Sequence, residues 1–152
     1  MILRRYLPLF ILVLSSALGV TQADEPKRKL GQAITVYKSP YCGCCTGWTE
    51  YLKSNGFEVT VVEQHDLSDL KAKYGIRPKL QSCHTAIVDG YAIEGHVPVD
   101  DIWRLLDERP NVTGLTAPGM PQMSPGMSSI EPKGYDVLSF DRDGRTEVFS
   151  RY

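Results

Sequence analysis

Three of the four cysteines of this 152-residue chain, Cys42, Cys44 and Cys45, fall within four positions between a predicted strand and a predicted helix. Residues 34–38 alternate as in a short strand, and residues 46–55 carry apolar side chains at the i, i+3, i+4 spacing of an amphipathic helix. Thiols at such a junction lie beside the unpaired N–H groups and the positive dipole end of the helix, which stabilise a thiolate. This segment, residues 42–45, which we call the cysteine turn, therefore predicts a reactive or metal-binding centre in an α/β domain.

The order of predicted elements defines the fold class. Strands are predicted at 34–38, 57–63, 83–88 and 91–94, and helices at 46–55, 67–74 and 99–108. The Asp89-Gly90 pair is a typical hairpin turn between the last two of these strands. The resulting order, βαβαββα, is typical of a thioredoxin-like domain. We therefore predict an α/β, thioredoxin-like fold, followed by a methionine-rich loop and a C-terminal β-hairpin with strands at 135–140 and 146–150.

The N-terminal residues have the pattern of a secretory signal peptide. Arg4 and Arg5 precede an apolar run at 7–20, and small residues occupy the cleavage positions before residue 24. A run of 14 residues is shorter than the roughly 20 residues of a membrane-spanning helix, although an uncleaved signal anchor is the alternative. The predicted parts are a signal peptide (1–23), a flexible tether (24–33), a domain core (34–110), a Met/Pro/Gly loop (111–133) and a hairpin (134–152).

Composition and compartment limit the classes of function. Without the leader, 15 basic residues face 18 acidic ones, a net charge of −3, which excludes the basic footprint of a nucleic-acid-binding domain. After cleavage we expect a protein exported to an oxidising compartment, with no membrane segment. Cysteines in an oxidising compartment normally form structural disulfides, so an unpaired cysteine there indicates a functional role.

Three interpretations of the cysteines stay open at this point. Cys42 and Cys45 have the spacing of a thiol–disulfide oxidoreductase, with Cys42 attacking and Cys45 resolving. Cys44 has no use in simple disulfide exchange, but it adds a ligand to a soft-metal site. The third interpretation is a purely structural or partner-binding module that is stapled by two disulfides and has no free thiol.

Cys83 and two histidines lie near the predicted centre. Cys83 opens the third strand, which in a thioredoxin-like sheet begins beside the first helix, so its thiol should face the cysteine turn. Strand alternation then sends His84 to the opposite face. His96 follows the fourth strand in a loop and is predicted to be a ligand, whereas His65 is interpreted as a solvated loop residue.

All methionines outside the leader, Met120, Met123 and Met127, fall within eight residues of the loop. Core methionines normally fill gaps on helices and strands, so this concentration indicates either a hydrophobic latch or a soft-metal site. Thiolate, thioether and imidazole together suit copper, whereas zinc is served by thiolates alone and iron–sulfur clusters do not use methionine. The residues therefore favour copper.

Several longer motifs resemble the CopG-like family of periplasmic copper-resistance proteins over about residues 34–140. The motifs are Lys38-Ser-Pro-Tyr-Cys-Gly-Cys-Cys45, Trp48, Gly56-Phe57, Leu80-Gln-Ser-Cys-His-Thr-Ala86, Asp89-Gly-Tyr91, Glu94-Gly-His-Val-Pro98, Gly114-Leu-Thr-Ala-Pro-Gly-Met-Pro121 and Ser124-Pro-Gly-Met127. Many members of the family have histidine where this chain has Tyr51 and glycine where it has Met123. Compared with those members, this chain lacks one nitrogen donor and has one additional sulfur donor.

The resemblance implies a thioredoxin-like copper protein of the periplasm, acting in copper resistance. It implies Cu(I), with Cu(II) tolerated, bound as single ions or as a multinuclear cluster, and partners among other copper-handling proteins. The residues it assigns to the metal are Cys42, Cys44, Cys45, Cys83, His96, Met120 and Met127. Storage, delivery and copper redox chemistry use the same ligands, so a copper-dependent oxidoreductase is one of the functions that the resemblance leaves open.

Overall fold

A computed structural model describes residues 30–127 and 132–152. The strands are β1 (Gln32–Lys38), β2 (Phe57–Glu63), β3 (His84–Val88), β4 (Tyr91–Glu94), β5 (Gly114–Thr116), β6 (Asp136–Phe140) and β7 (Thr146–Arg151). The helices are α1 (Gly43–Ser54), α2 (Ser68–Lys73) and α3 (Val99–Glu108), with a 3₁₀ turn at Pro78–Leu80. The predicted βαβαββα order is confirmed.

In the described part of the chain the strands form one seven-stranded sheet in the order β2-β1-β3-β4-β5-β6-β7. The β1–β2 and β4–β5 pairs are parallel, and the other neighbours are antiparallel. The thioredoxin-like core and the C-terminal hairpin were predicted, but β5 was not, because its three residues lie in a segment interpreted as loop. β5 pairs with β4 on one side and β6 on the other, and so joins the hairpin to the core sheet.

The beginnings of α1 and β1 differ from the prediction. Helix α1 begins at Gly43, three residues before the predicted start, with Cys42 as its N-cap residue. The apolar periodicity used for the prediction begins only at Trp48 and gives no information on the first helical turn. Strand β1 begins at Gln32 rather than at residue 34, because Gln32 pairs with Phe57 in the parallel register.

Apolar side chains cover both faces of the sheet. On one face α1 and α3 pack against the strands, with Trp48 and Ile102 in the same buried cluster as Ala86. On the other face Ile76 and Phe140 belong to a second cluster with neighbours on β3 and β4. Alternate residues of β3 therefore face α1. The beginning of the strand lies at the first turn of α1, where the Cys45 sulfur is 3.9 Å from the carbonyl oxygen of Cys83.

The predicted signal peptide (1–23) lies outside the described residues, as do residues 24–29 of the predicted tether. Among the helices that the structure describes, none has the length and apolarity needed to span a bilayer.

Candidate metal centre

Four cysteine sulfurs meet where α1 begins. Cys42, Cys44 and Cys45 come from the first turn of α1, and Cys83 comes from the residue before β3. Their sulfur atoms all lie within 4.8 Å of one another, and we refer to these four residues as the thiol cluster. The structure thus brings together the four predicted cysteines, although Cys45 and Cys83 are 38 residues apart in the sequence.

The thiol cluster contains one disulfide and two free thiols. Cys42 and Cys45 form the disulfide, and their Cα atoms are 5.3 Å apart. Cys44 and Cys83 are free and partly exposed. The Cys44 sulfur lies 3.5 Å from the Cys42 sulfur, close enough for exchange with the disulfide or for sharing a metal ion.

His96 is oriented towards Cys83. Its Nδ1 lies 2.7 Å from the carbonyl oxygen of Pro125, and its Nε2 lies 3.4 Å from the Cys83 sulfur. Burial lowers the pKa of His96, so the ring is neutral at pH 7. A neutral ring that donates its Nδ1 proton to a carbonyl leaves the Nε2 lone pair free, which is the usual arrangement for a metal-binding histidine.

The prediction that His84 faces away from the centre is wrong. Its Nδ1 lies 3.5 Å from the Cys83 sulfur, and its ring packs on Trp48 of α1 with centroids 4.4 Å apart. Cys83 precedes the strand, so strand alternation does not separate it from His84. Burial, followed by the charges of His96 and Lys71, lowers the pKa of His84 well below its ordinary value. We call Cys83, His84 and His96 the mixed group, whose ligand atoms lie within 4.8 Å of one another.

Burial also governs the protonation of Cys83. Loss of solvation raises the pKa of its thiol to about 11, and the neighbouring Cys44 acts in the same direction, against the hydrogen bond from Ser82. Cys83 is therefore a thiol at neutral pH in the absence of an ion. A metal that binds there must displace its proton.

A segment that we call the methionine loop, residues 118–127, is anchored beside the centre at two points. Ser82 forms a bridge with Gly119 and donates its hydroxyl to the Gly119 carbonyl, while Pro125 accepts from His96. Gly119 and Gly126 both have positive φ angles. In the two Pro-Gly-Met copies, Met120 and Met127 each follow one of these glycines and lie close in sequence to an anchor point.

The methionines differ in exposure. Met120 is 55% exposed and Met123 is 42% exposed, whereas Met127 is half-buried. Exposed thioethers are unusual for core packing, so the latch interpretation does not account for Met120 and Met123.

We expect Gly126→Ala to detach the methionine loop from α1. A Cβ at Gly126, whose φ is +82°, would collide with the backbone nitrogen of Trp48. The left-handed conformation costs a non-glycine residue about 1–2 kcal/mol, and the collision about 1–3 kcal/mol more. Gly119→Ala is the matched control, since its φ is +72° but its Cβ would meet nothing within 4 Å. Denaturant unfolding should show a larger loss for Gly126→Ala; equal losses would contradict the close contact.

A buried polar network behind Cys83 was not predicted. Glu94 of β4 is fully buried and pairs with Lys71 of α2, which is 7% exposed. The Glu94 carboxylate also accepts the backbone N–H of Ser82 at 2.6 Å and the hydroxyl of Thr85 at 2.6 Å. Lys71 in turn donates to the carbonyl of Ser82 at 3.3 Å. The network thus binds both the backbone N–H and the backbone carbonyl of Ser82, the residue that precedes Cys83.

Tyr51 of α1 has a structural role. Its hydroxyl accepts the backbone N–H of Val99, 3.1 Å away, at the beginning of α3. His65 is exposed, as predicted, and its ring lies against Tyr41.

Comparison with known proteins identifies the family. A family model described as a protein of unknown function, DUF411, matches residues 80–127. No curated protein matches the chain. Two solved structures, titled copper resistance protein copG, Form 1 and Form 2, are each 40% identical, cover 80% of this chain and 98% of their own, and superpose with a TM-score of 0.74. At this identity and coverage, the chain belongs to the family of the copper resistance protein CopG.

Proposed function

We propose that the chain is a periplasmic copper-binding protein of copper resistance that holds Cu(I) through cysteine, histidine and methionine. The single observation that carries the proposal is the thiol cluster, in which four sulfurs from two distant segments lie within 4.8 Å of one another. Such a concentration of soft donors suits Cu(I). The solved relatives at 40% identity are named copper resistance proteins, which supports the same function.

The donors around the thiol cluster favour copper over zinc or iron. Four thiolates alone would serve zinc, and an iron–sulfur cluster would not need thioethers. Here His96 lies beside Cys83, and the methionine loop is anchored next to the same residue through Ser82. We assign the metal to Cys42, Cys44, Cys45, Cys83 and His96, with Met120 or Met127 completing the site. Thioethers bind without losing a proton, and this favours Cu(I).

Loading of the whole thiol cluster requires a reduced chain. A disulfide sulfur is a poor metal ligand, so the Cys42–Cys45 disulfide must take up two electrons before both residues can act as thiolates. Imidazole ligands also tolerate Cu(II), which makes copper redox chemistry compatible with the site. Other copper-handling proteins of the periplasm are the partners we propose for delivery or acceptance of the ion.

A second candidate function is thiol–disulfide exchange. It is favoured by the Cys42–Cys45 disulfide at the first turn of α1, with the free Cys44 thiol 3.5 Å from Cys42. This function needs neither His96 nor the methionine loop. The disulfide-stapled module is disfavoured, because it requires two disulfides and Cys44 and Cys83 are free.

The test is a Cu(I) titration of the fully reduced chain against a chromophoric Cu(I) chelator, with free thiols counted before and after. We expect tight binding of at least one copper ion per chain and loss of thiol reactivity, and His96→Ala and Met120→Ala should weaken binding. Failure to compete with a weak chelator, together with ready formation of the Cys42–Cys45 disulfide, would instead support the oxidoreductase.

Cys44→Ser separates the two candidate functions. We expect it to lower copper stoichiometry or affinity by about tenfold or more, because it removes one of four soft donors. Oxidised Cys44→Ser should still form the Cys42–Cys45 disulfide, since Cys44 is not part of it. Cu(I) titration and thiol counting on the same sample check both results. Unchanged copper binding would show that the third thiol of the helix turn is not a ligand.

A further inference from the structure

The mixed group remains intact when the Cys42–Cys45 disulfide forms. The disulfide removes two of the four thiols of the thiol cluster, but Cys83, His84 and His96 take no part in it. The described structure is that of the disulfide form, and in it the ligand atoms of the mixed group already lie within 4.8 Å of one another. The oxidised chain thus keeps one thiol and two imidazoles at one place.

The distances in the mixed group match the edges of a tetrahedral metal site. With Zn–S bonds of about 2.3 Å and Zn–N bonds of about 2.0–2.1 Å, a tetrahedral site has S–N edges of about 3.6 Å. The Cys83 sulfur lies 3.4 Å from His96 Nε2 and 3.5 Å from His84 Nδ1. Both sulfur–nitrogen distances are therefore compatible with one ion bound by all three residues.

Neighbouring groups fix both imidazoles. The Pro125 carbonyl accepts the Nδ1 proton of His96, which leaves Nε2 as the free lone pair facing Cys83. His84 is fully buried, and its ring contacts both Trp48 and His96, with centroids 4.4 Å and 5.1 Å away. Its Nε2 has no hydrogen-bond partner. Rigid packing of this kind holds ligands in position before the ion arrives.

We propose that the mixed group binds one divalent ion of borderline softness, of which Zn²⁺ is the redox-inert example, while Cys42 and Cys45 are joined as a disulfide. One thiolate and two neutral imidazoles are the ligands that zinc and its first-row neighbours accept. Cys44, whose sulfur is within 4.8 Å of that of Cys83, or a water completes the tetrahedron. The binding of the ion displaces the proton of Cys83. This site goes beyond the proposed function, because it uses neither Cys42 nor Cys45 and takes a different class of ion.

The inference assigns a separate role to the disulfide. In the reduced chain the thiol cluster offers four soft donors, and in the oxidised chain the mixed group offers a site with more nitrogen than sulfur. The oxidation state of this one disulfide therefore sets the preferred ion, a monovalent soft one in the dithiol form and a divalent borderline one in the disulfide form. His84, which has no place in the thiol cluster, is the residue that distinguishes the two sites.

The test uses the full chain in its oxidised form, with two free thiols per chain verified by thiol counting. Zn²⁺ is titrated against a chromophoric chelator, and Co²⁺ is then used as a spectroscopic probe. We expect one ion per chain, and for Co²⁺ the intense visible bands of a tetrahedral site with a sulfur-to-metal charge-transfer band. An octahedral Co²⁺ spectrum, or no binding, would overturn the proposal without any substitution being made.

Variants identify the ligands. Cys83→Ser and His84→Asn should weaken Zn²⁺ binding by about 100-fold or more, the upper end of the range for loss of an outer-sphere partner. His65→Asn, at an exposed histidine, is the matched control and should bind as the unsubstituted chain does. Unchanged binding by His84→Asn would overturn the assignment.

One more variant separates this inference from the proposed function. Cys42→Ser combined with Cys45→Ser leaves the mixed group as it is in the disulfide form. It should retain one Zn²⁺ per chain and lose most of the Cu(I) that the reduced chain binds. Loss of Zn²⁺ as well as Cu(I) in the double variant would overturn the inference alone, whereas a reduced unsubstituted chain that binds no Cu(I) would refute only the proposed function.

Discussion

Lys71→Met is expected to lower the free energy of unfolding at pH 7 by about 3–5 kcal/mol, the usual effect of removing one partner from a buried ion pair. Glu94 is fully buried, and Lys71, the N–H of Ser82 and the hydroxyl of Thr85 favour its charged form. Without the ammonium group, a buried carboxylate has no counter-charge. Chemical denaturation of both proteins measures the difference.

The decrease in the free energy of unfolding caused by Lys71→Met should depend on pH in a defined direction. Burial raises the pKa of Glu94 above its ordinary 4.5, while Lys71 acts to lower it. Lys71→Met removes that opposing effect, so the pKa in the folded variant rises further. A carboxyl whose pKa is higher in the folded state is destabilising when ionised, so the variant should lose stability as the pH rises and recover part of it towards pH 4.5.

Two variants make the prediction for Lys71 specific. Lys73→Met changes an exposed lysine on the same helix and should leave the free energy of unfolding within about 0.5 kcal/mol of the original. Adding Glu94→Gln to Lys71→Met should restore part of the loss, because the amide oxygen can still accept the Ser82 N–H. If Lys71→Met were no less stable than Lys73→Met, the ion pair would have no part in holding the segment before Cys83.

Most of the fold could be predicted because its elements carry strong local patterns. The β2 and β4 boundaries and those of α3 agree with the prediction, since β2 is rich in valine, β4 follows the Asp89-Gly90 turn, and α3 has a clear apolar period of 3.6. β5 has only three residues, too few for a period to be visible, and it is a strand because β4 and β6 flank it. This long-range pairing cannot be read from residues 114–116 alone.

The candidate site was predictable where the donor atom itself is chemically distinctive. Cysteines and clustered methionines stand out in any sequence, and the thiol cluster contains the cysteines that were chosen. The position of His84 could not be inferred from alternation, because Cys83 lies outside the strand. Glu94 and Lys71 look like ordinary surface residues in sequence. The sheet places Glu94 opposite Thr85, and the packing of α2 brings Lys71 to the same place. Only this tertiary arrangement shows that the charges of Glu94 and Lys71 are buried together.

Cys83→Ser is expected to have the largest effect on metal binding of any single substitution. Cys83 is the one residue that belongs to both the thiol cluster and the mixed group. Serine replaces a soft sulfur by a hard oxygen, which neither Cu(I) nor a borderline divalent ion prefers. We expect Cu(I) affinity of the reduced chain to fall by about 100-fold or more, and Zn²⁺ binding by the oxidised chain to be lost.

The loss in Cys83→Ser should come from the ligand and not from the fold. Cys83 is only partly buried and its backbone is held by the Lys71–Glu94 network through Ser82, so the free energy of unfolding should change by less than about 1 kcal/mol. Cys44→Ser is the matched comparison, because Cys44 belongs only to the thiol cluster. It should reduce Cu(I) binding less than Cys83→Ser, and it should leave the three residues of the mixed group in place. Equal effects of the two substitutions on both metals would show that Cys83 does not connect two sites, and that the histidines beside it serve only to pack the beginning of β3 against α1.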